Sequence, residues 1–375
     1  MGLLKYLGLE KEEPNKKREI QNKTNNQPKK VVPKKVTKAE AIGRSLSPLQ
    51  ILVLSYSPSF IIGQTDYAAF WEKKYGVENM NVILGQLEKE KLIEPGSVES
   101  AVKMASGSDL KAALKQNGLP VSGKKEVLAD RLIQNVSTEL LEQLFPHKPY
   151  ALTSMGKEIV NNNSHVRYIH DHPYADLDIW SMHDLMQTAL KKGHDAKQYS
   201  YRDAIWGYMV KKSFDSFTEA DFGEHRFIEM NMYRFLVEEK RWKTAVGHLA
   251  SVLYCDLNCA EYLNFKNMDD SDLIMFKLYS VAEIAFDTKY PHIVPAAYGW
   301  IDQTMSGLNM NPEEFEKRLL LEMERISTFP MEYIGKTACV EIVMNSYRGN
   351  TSKVSEIYRK AERDYYRKYP KAKKK

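Results

Sequence analysis

Four consecutive residues, Ser122-Gly123-Lys124-Lys125, carry the clearest chemistry in the chain. Ser122 is a capping residue type, and the stretch from Gly123 to about Asn135 reads as a helix. A helix start is already the positive end of its dipole, so acidic side chains are favoured there and lysines are not. Two lysines beside free backbone amides make a site for an anion. The small Ser122 and Gly123 let a phosphate come close to the backbone. Lys111 and Lys115, one turn apart on a preceding helix, extend the patch. The competing reading is that these lysines are ordinary solvated surface charges.

Other residue clusters offer other chemistry. His165, His170, His172 and His183 lie among Asp171, Asp176, Asp178 and Asp184, a content that suggests zinc or a two-metal nuclease. No HExxH or comparable spacing organises them, and Pro173 favours a polar loop at a domain junction, so no metal ligands are assigned. Cys255 and Cys259, four apart, share one face if helical and read with Cys339 as small buried residues. The chain has no GxGxxG, no GxxxxGK[ST] and no GxSxG, so neither a cofactor nor a catalytic residue is assigned. The expectation is a protein that is not an enzyme.

The elements that must hold the lysine pair are short. Ser108 is expected to cap a helix from Asp109 to Gln116, with Leu110 and Leu114 on one face and Asn117-Gly118 as its left-handed stop. Leu119-Pro120-Val121 is a brief extended link, and Leu128 and Leu132 face inward on the second helix. Two helices this short cannot enclose a large core and must lean on neighbours. The run Leu110-Lys111-x-x-Leu114-Lys115-x-x-Gly118-Leu119-x-x-Ser122-Gly123-Lys124-Lys125-x-x-Leu128-x-x-Arg131-Leu132 resembles the SAP motif, a helix-extended-helix module. That resemblance implies binding of duplex DNA with little sequence preference, through Ser122, Gly123, Lys124 and Lys125 at phosphates. It gives Arg131 either a structural or a phosphate-facing role.

The rest of the chain sets the frame. Residues 1–45 carry a net charge of +7 and residues 356–375 a net of +6, on a remaining body of −8. Within that acidic body, residues 108–135 carry +2. A uniformly basic coat for nucleic acid is thereby excluded, and a local patch is left open. Residues 1–45, rich in Lys, Asn, Gln and Pro, are expected to be a disordered basic tail. Residues 46–165 are expected to form a small winged-helix-like module with the SAP unit at 106–140 inserted in it. Tyr150-x-Leu152-Thr153 would be the strand after the insertion. Residues 174–364 show apolar residues at three- and four-residue steps and are expected to be an irregular stack of α-helical hairpins. Residues 365–375 form a second basic tail.

The fold expectation is therefore mainly α. The functional expectation is a DNA-associated protein whose helical domain takes a protein partner or a second copy. The alternatives are an interaction scaffold without significant DNA binding and a metal-dependent nuclease. The wider layout resembles SAP-containing proteins of Gram-positive bacteria and their phages. Absence of an apolar run of membrane length, absence of a signal-peptide pattern at the start and three unpaired cysteines give a cytoplasmic expectation, with no membrane partner.

Overall fold

A computed structural model of the chain describes residues 46–191, 200–287, 293–329 and 332–370. The two expected tails lie outside them, except for residues 365–370. The described residues fall into two compact units, one ending at Tyr201 and one beginning at Arg202. Both are built mainly of α-helices, as the periodicity predicts.

The first unit is organised around α1 (Pro48–Tyr56). Ser47 and Gln50 form a capping box, Pro48 occupies the first turn, and Ile51, Leu52, Val53 and Leu54 are all buried. Four buried residues in a row leave no solvent face, so other helices must pack on every side. α2 (Phe70–Tyr75) ends at Gly76, which takes the left-handed conformation. No side chain caps its start, where Ala69 stands at the cap position. The Tyr67 hydroxyl donates to Gln64 O and Asn81 Oδ1 instead, pinning the segment before the helix. α3 (Met80–Lys89), capped by Asn79, buries Met80, Leu84 and Leu87.

Next comes β1 (Ile93–Pro95), which pairs antiparallel with β2 (Tyr150–Leu152) in the register Ile93↔Leu152, Glu94↔Ala151 and Pro95↔Tyr150. Gly96 N–H donates to Pro149 O at 2.8 Å, so the pairing extends to the last residue before β2. Everything from 96 to 149 is thus one excursion that leaves and returns at adjacent points. Thr153 closes β2 by capping α8 (Ser154–Asn162), and its hydroxyl also donates to Lys91 O. Gly156 sits against the backbone of Leu92; a Cβ there would lie 2.1 Å from Leu92 O. Only glycine permits that approach. α9 (Ser164–Asp171) and α10 (Ile179–Lys191) then return to pack on α1.

The excursion contains α4 (Val98–Met104), α5 (Gly107–Gln116), α6 (Lys125–Asn135) and α7 (Thr138–Leu144). They enclose a small core of their own, including Val102, Leu110, Leu114, Leu128, Leu132, Leu141 and Phe145. The neighbours that α5 and α6 need are therefore α4 and α7, on either side in sequence.

The second unit runs through α11 (Tyr201–Thr218), α12 (Phe222–Glu238), α13 (Trp242–Leu257), α14 (Ser271–Ala285), α15 (Ala296–Leu308), α16 (Pro312–Arg325), α17 (Lys336–Tyr347) and α18 (Thr351–Lys368). α13 is its axis, with buried residues from Ala245 to Leu257 on all sides, and it packs on α12, α15, α16 and α17. Gly307 on α15 is the seat for the Trp242 ring, which a Cβ would strike at 2.2 Å. The fully buried Asn258 after α13 accepts from the amides of Tyr333 and Ile334 at 2.8 and 3.0 Å and donates to Tyr254 O and Ile334 O. That side chain fastens the segment before α17 to the axis.

All three cysteines are buried free thiols. Cys255 lies in α13, but Cys259 follows the helix in a left-handed conformation, so the two do not share one helical face. Among the described residues no helix is long and apolar enough to cross a membrane.

Candidate nucleic-acid interface

The expected helix-extended-helix is present, with its punctuation shifted. Ser106, not Ser108, caps α5: its hydroxyl accepts from the Asp109 amide at 3.1 Å and bonds the Asp109 carboxylate at 2.7 Å. Ser106 has the extended backbone a cap requires, whereas Ser108 is already inside the first turn. α5 ends as expected. Gly118 is left-handed at φ 67°, and the Leu119 amide returns to Leu114 O at 2.8 Å.

The second helix begins later than the sequence suggests. α6 starts at Lys125, with Lys124 at the cap position and no side-chain cap. Ser122 does not cap it, and Gly123 and Lys124 belong to the link. The cause is Gly123, whose φ of 130° is outside helical space and closed to most L-residues. A Cβ there would also press on Val127 at 3.3 Å. Glycine is required by conformation, and the contact adds a lesser constraint.

This geometry leaves polar hydrogens facing outward. The first intrahelical bond runs from the Leu128 amide to Lys124 O at 3.1 Å. The amides of Lys125, Glu126 and Val127 precede it and have no intrahelical acceptor. Ser122, Gly123, Lys124 and Lys125 are all exposed around them. The lysines and the free amides beside them are both foreseen from the sequence; what the structure adds is that no side chain caps these amides. The Lys125 ammonium donates to Met104 O at 3.3 Å, so it also tethers the start of α6 to the end of α4. Among the described residues Lys124 makes no such bond.

Arg131 is placed by its contacts. It is half-buried, and its Nη1 donates to Pro120 O and to Ser122 O, the latter at 3.1 Å. The guanidinium thus ties α6 back onto the link and fixes the turn that presents Gly123 and Lys124. Lys111 and Lys115 are exposed on α5, beside the buried pair Leu110 and Leu114.

The histidine and aspartate cluster lies elsewhere in the same unit, and its members take separate partners. His165 and His183 are buried and joined directly, Nε2 to Nδ1 at 3.0 Å, with rings stacked. Burial first, and then the mutual proximity of the two rings, pushes His165 down to about 3; burial likewise lowers His183. His170 bonds the Tyr75 hydroxyl at 2.5 Å, Asp171 pairs with Arg167, and Asp178 bonds the amides of Trp180 and Ser181 at the start of α10. Among the described residues no group of three or more His, Cys, Asp or Glu side chains converges as a metal site.

No curated protein matches the chain significantly. The family model of the SAP domain matches residues 106–136, which span α5, the link and α6 from the Ser106 cap onward. The helix-extended-helix at the centre of the excursion is a SAP domain, a module associated with binding nucleic acid, carried by an otherwise mainly helical protein.

Proposed function

We propose that this protein is a non-enzymatic, DNA-associated protein that holds the duplex backbone through its SAP domain with little sequence preference. The observation that carries the reading is the start of α6: three amides without intrahelical acceptors, no side-chain cap, and an exposed lysine pair beside them. A phosphate oxygen supplies the missing acceptor and the counter-charge together. Lys111 and Lys115 add charge from α5, and Arg131 positions the turn. A contact of this kind reads phosphates and not base edges, which is why sequence preference is expected to be weak. The helical unit from Arg202 onward supplies the contacts to a protein partner or a second copy, leaving the SAP domain to nucleic acid.

The test is fluorescence anisotropy of the full chain with two duplexes of unrelated sequence at low salt. Similar affinities for the two, weakened at least tenfold by Lys124→Glu/Lys125→Glu, are expected. Unchanged affinity in the double variant removes the site from the reading. Incubation of the duplexes with the protein and Mg²⁺ or Mn²⁺ leaves them intact if the protein is not a nuclease.

A further inference from the structure

The second unit contains a cleft of about 1030 Å³ bounded by α11, α12, α13, α16 and the segment after α16. Its size is at the upper end for small-molecule sites. Glu229 on α12 is buried in its wall, accepting from Ser213 Oγ at 2.7 Å and from His248 Nδ1 at 2.9 Å. His225 Nδ1 meets Ser213 O at 3.0 Å. A carboxylate and a carbonyl can only accept, so both imidazoles carry their proton on Nδ1. Each Nε2 is left without a partner among the described residues. Burial alone would raise the Glu229 carboxyl; the hydrogen bond from His248, the electrostatic influence of the His248 and His225 rings and the hydrogen bond from Ser213 reverse this and hold it well below the usual carboxylate range.

A second buried carboxylate, Glu322 on α16, also lines the cleft and pairs with Arg318 at 2.5 Å and Arg325 at 3.1 Å. It lies against Gly247 of α13. Arg318 keeps one nitrogen in reserve: its Nε is buried and has no acceptor. A buried donor of that kind is unfavourable unless an acceptor arrives. Lys243 also lines the cleft, exposed and without a carboxylate partner among the described residues. Three permanent cations face two carboxylates, so the cleft is short of negative charge. Beside this polar floor, Phe217 and the two-thirds exposed Phe214 form an apolar wall.

We propose that this cleft binds a small organic phosphate, with the phosphate on Arg318 and Lys243 and the organic part against Phe214 and Phe217. The phosphate oxygens supply acceptors to donors that the protein leaves open, and the aromatic wall accounts for preference over the bare anion. The site is separate from the SAP domain in sequence and in chemistry.

Calorimetric titration of the full chain with AMP, ribose 5-phosphate, adenosine and inorganic phosphate tests the proposal. At least one of the two organic phosphates is expected to bind at a single site, at least tenfold more tightly than adenosine or inorganic phosphate. Lys243→Met and Phe214→Ala, both exposed positions, are each expected to weaken that binding at least tenfold with an unchanged melting temperature. Lys124→Glu/Lys125→Glu is expected to leave it unaltered. The proposal is overturned if neither organic phosphate saturates a site, if inorganic phosphate binds as tightly, if binding survives Lys243→Met, or if the SAP variant abolishes it.

Discussion

Replacing Arg131 by methionine separates a residue that shapes the proposed phosphate site from one proposed to touch phosphate. Its Nη1 makes two bonds to carbonyl oxygens, one on each side of Val121. Charged-group hydrogen bonds each contribute about 1.5–3 kcal/mol when shielded, less when half-exposed, so the pair is worth about 2 kcal/mol here. For a unit of roughly 150 residues that corresponds to a fall of about 4–8 °C in Tm. DNA affinity should also fall, because the link that presents Gly123 and Lys124 is no longer fixed. The dependence of affinity on salt should not change, since no phosphate contact is lost. Lys124→Met gives the opposite pattern. Each neutralised phosphate contributes about 0.9 to the slope of log K against log salt. Losing one contact should lower the slope by about 0.9 and the affinity about eightfold at ~0.1 M salt, with Tm unmoved. The assay is anisotropy over a salt series from about 50 to 200 mM, run beside thermal melts of both variants. A slope reduced by about 0.9 in Arg131→Met, with unchanged Tm, refutes the reasoning and returns Arg131 to the phosphate.

Three further outcomes test the packing. His165 has a folded-state pKa of about 3, against ~6.5 in an unfolded chain, so the unfolded state takes up its proton first as pH falls. The contribution is complete above about pH 6.5 and is lost progressively down to about 3, amounting to about 2 kcal/mol at pH ~5; urea midpoints of His165→Gln measured over that range should be flatter than those of the parent chain. Asn258→Ala leaves the buried amides of Tyr333 and Ile334 without an acceptor and should cost about 2–5 kcal/mol by urea unfolding; a loss below about 1 kcal/mol would mean the segment finds other acceptors. Gly156→Ala should destabilise severely, because its Cβ meets Leu92 O, whereas Gly207→Ala, with open space at an exposed position inside α11, should stabilise by about 0.5–1 kcal/mol. Equal melting shifts for the two glycine variants would contradict the contact.

What the sequence discloses is the part set by local rules. The pairs Leu110/Leu114 and Leu128/Leu132 obey helical spacing, and Gly76 and Gly118 stop helices because their backbones must turn left-handed. The strand at Tyr150–Leu152 is legible from its own residues, and its pairing partner emerges only from the fold. Caps are harder: Ser106 and Ser108 are equally good cap residues, and only backbone angles decide between them. The start of α6 is misplaced by two residues when Gly123 is read for its size and not for its φ. Contacts across the chain are invisible. Arg131 reaches back across the link, and Ser213, Glu229, His248 and Arg318 come from four different helices. Helical spacing places His225 and Glu229 on one face but does not say what faces them.

The placement of the SAP domain between two paired strands bears on the order in which the chain can fold. Bringing Pro95 to Tyr150 closes a loop of 54 residues, 96 to 149, at an entropic cost of about 3.5 kcal/mol for a flexible chain. A ribbon of two three-residue strands cannot offset that by itself. The four helices of the excursion have a core of their own, and once they are folded, their two ends already lie side by side. On these grounds the ribbon, and the Thr153 and Gly156 contacts beyond it, are expected to form after α4–α7. Loosening α5 against α6 should then slow formation of the whole first unit, and stopped-flow refolding rates unchanged in Leu114→Ala would contradict that order.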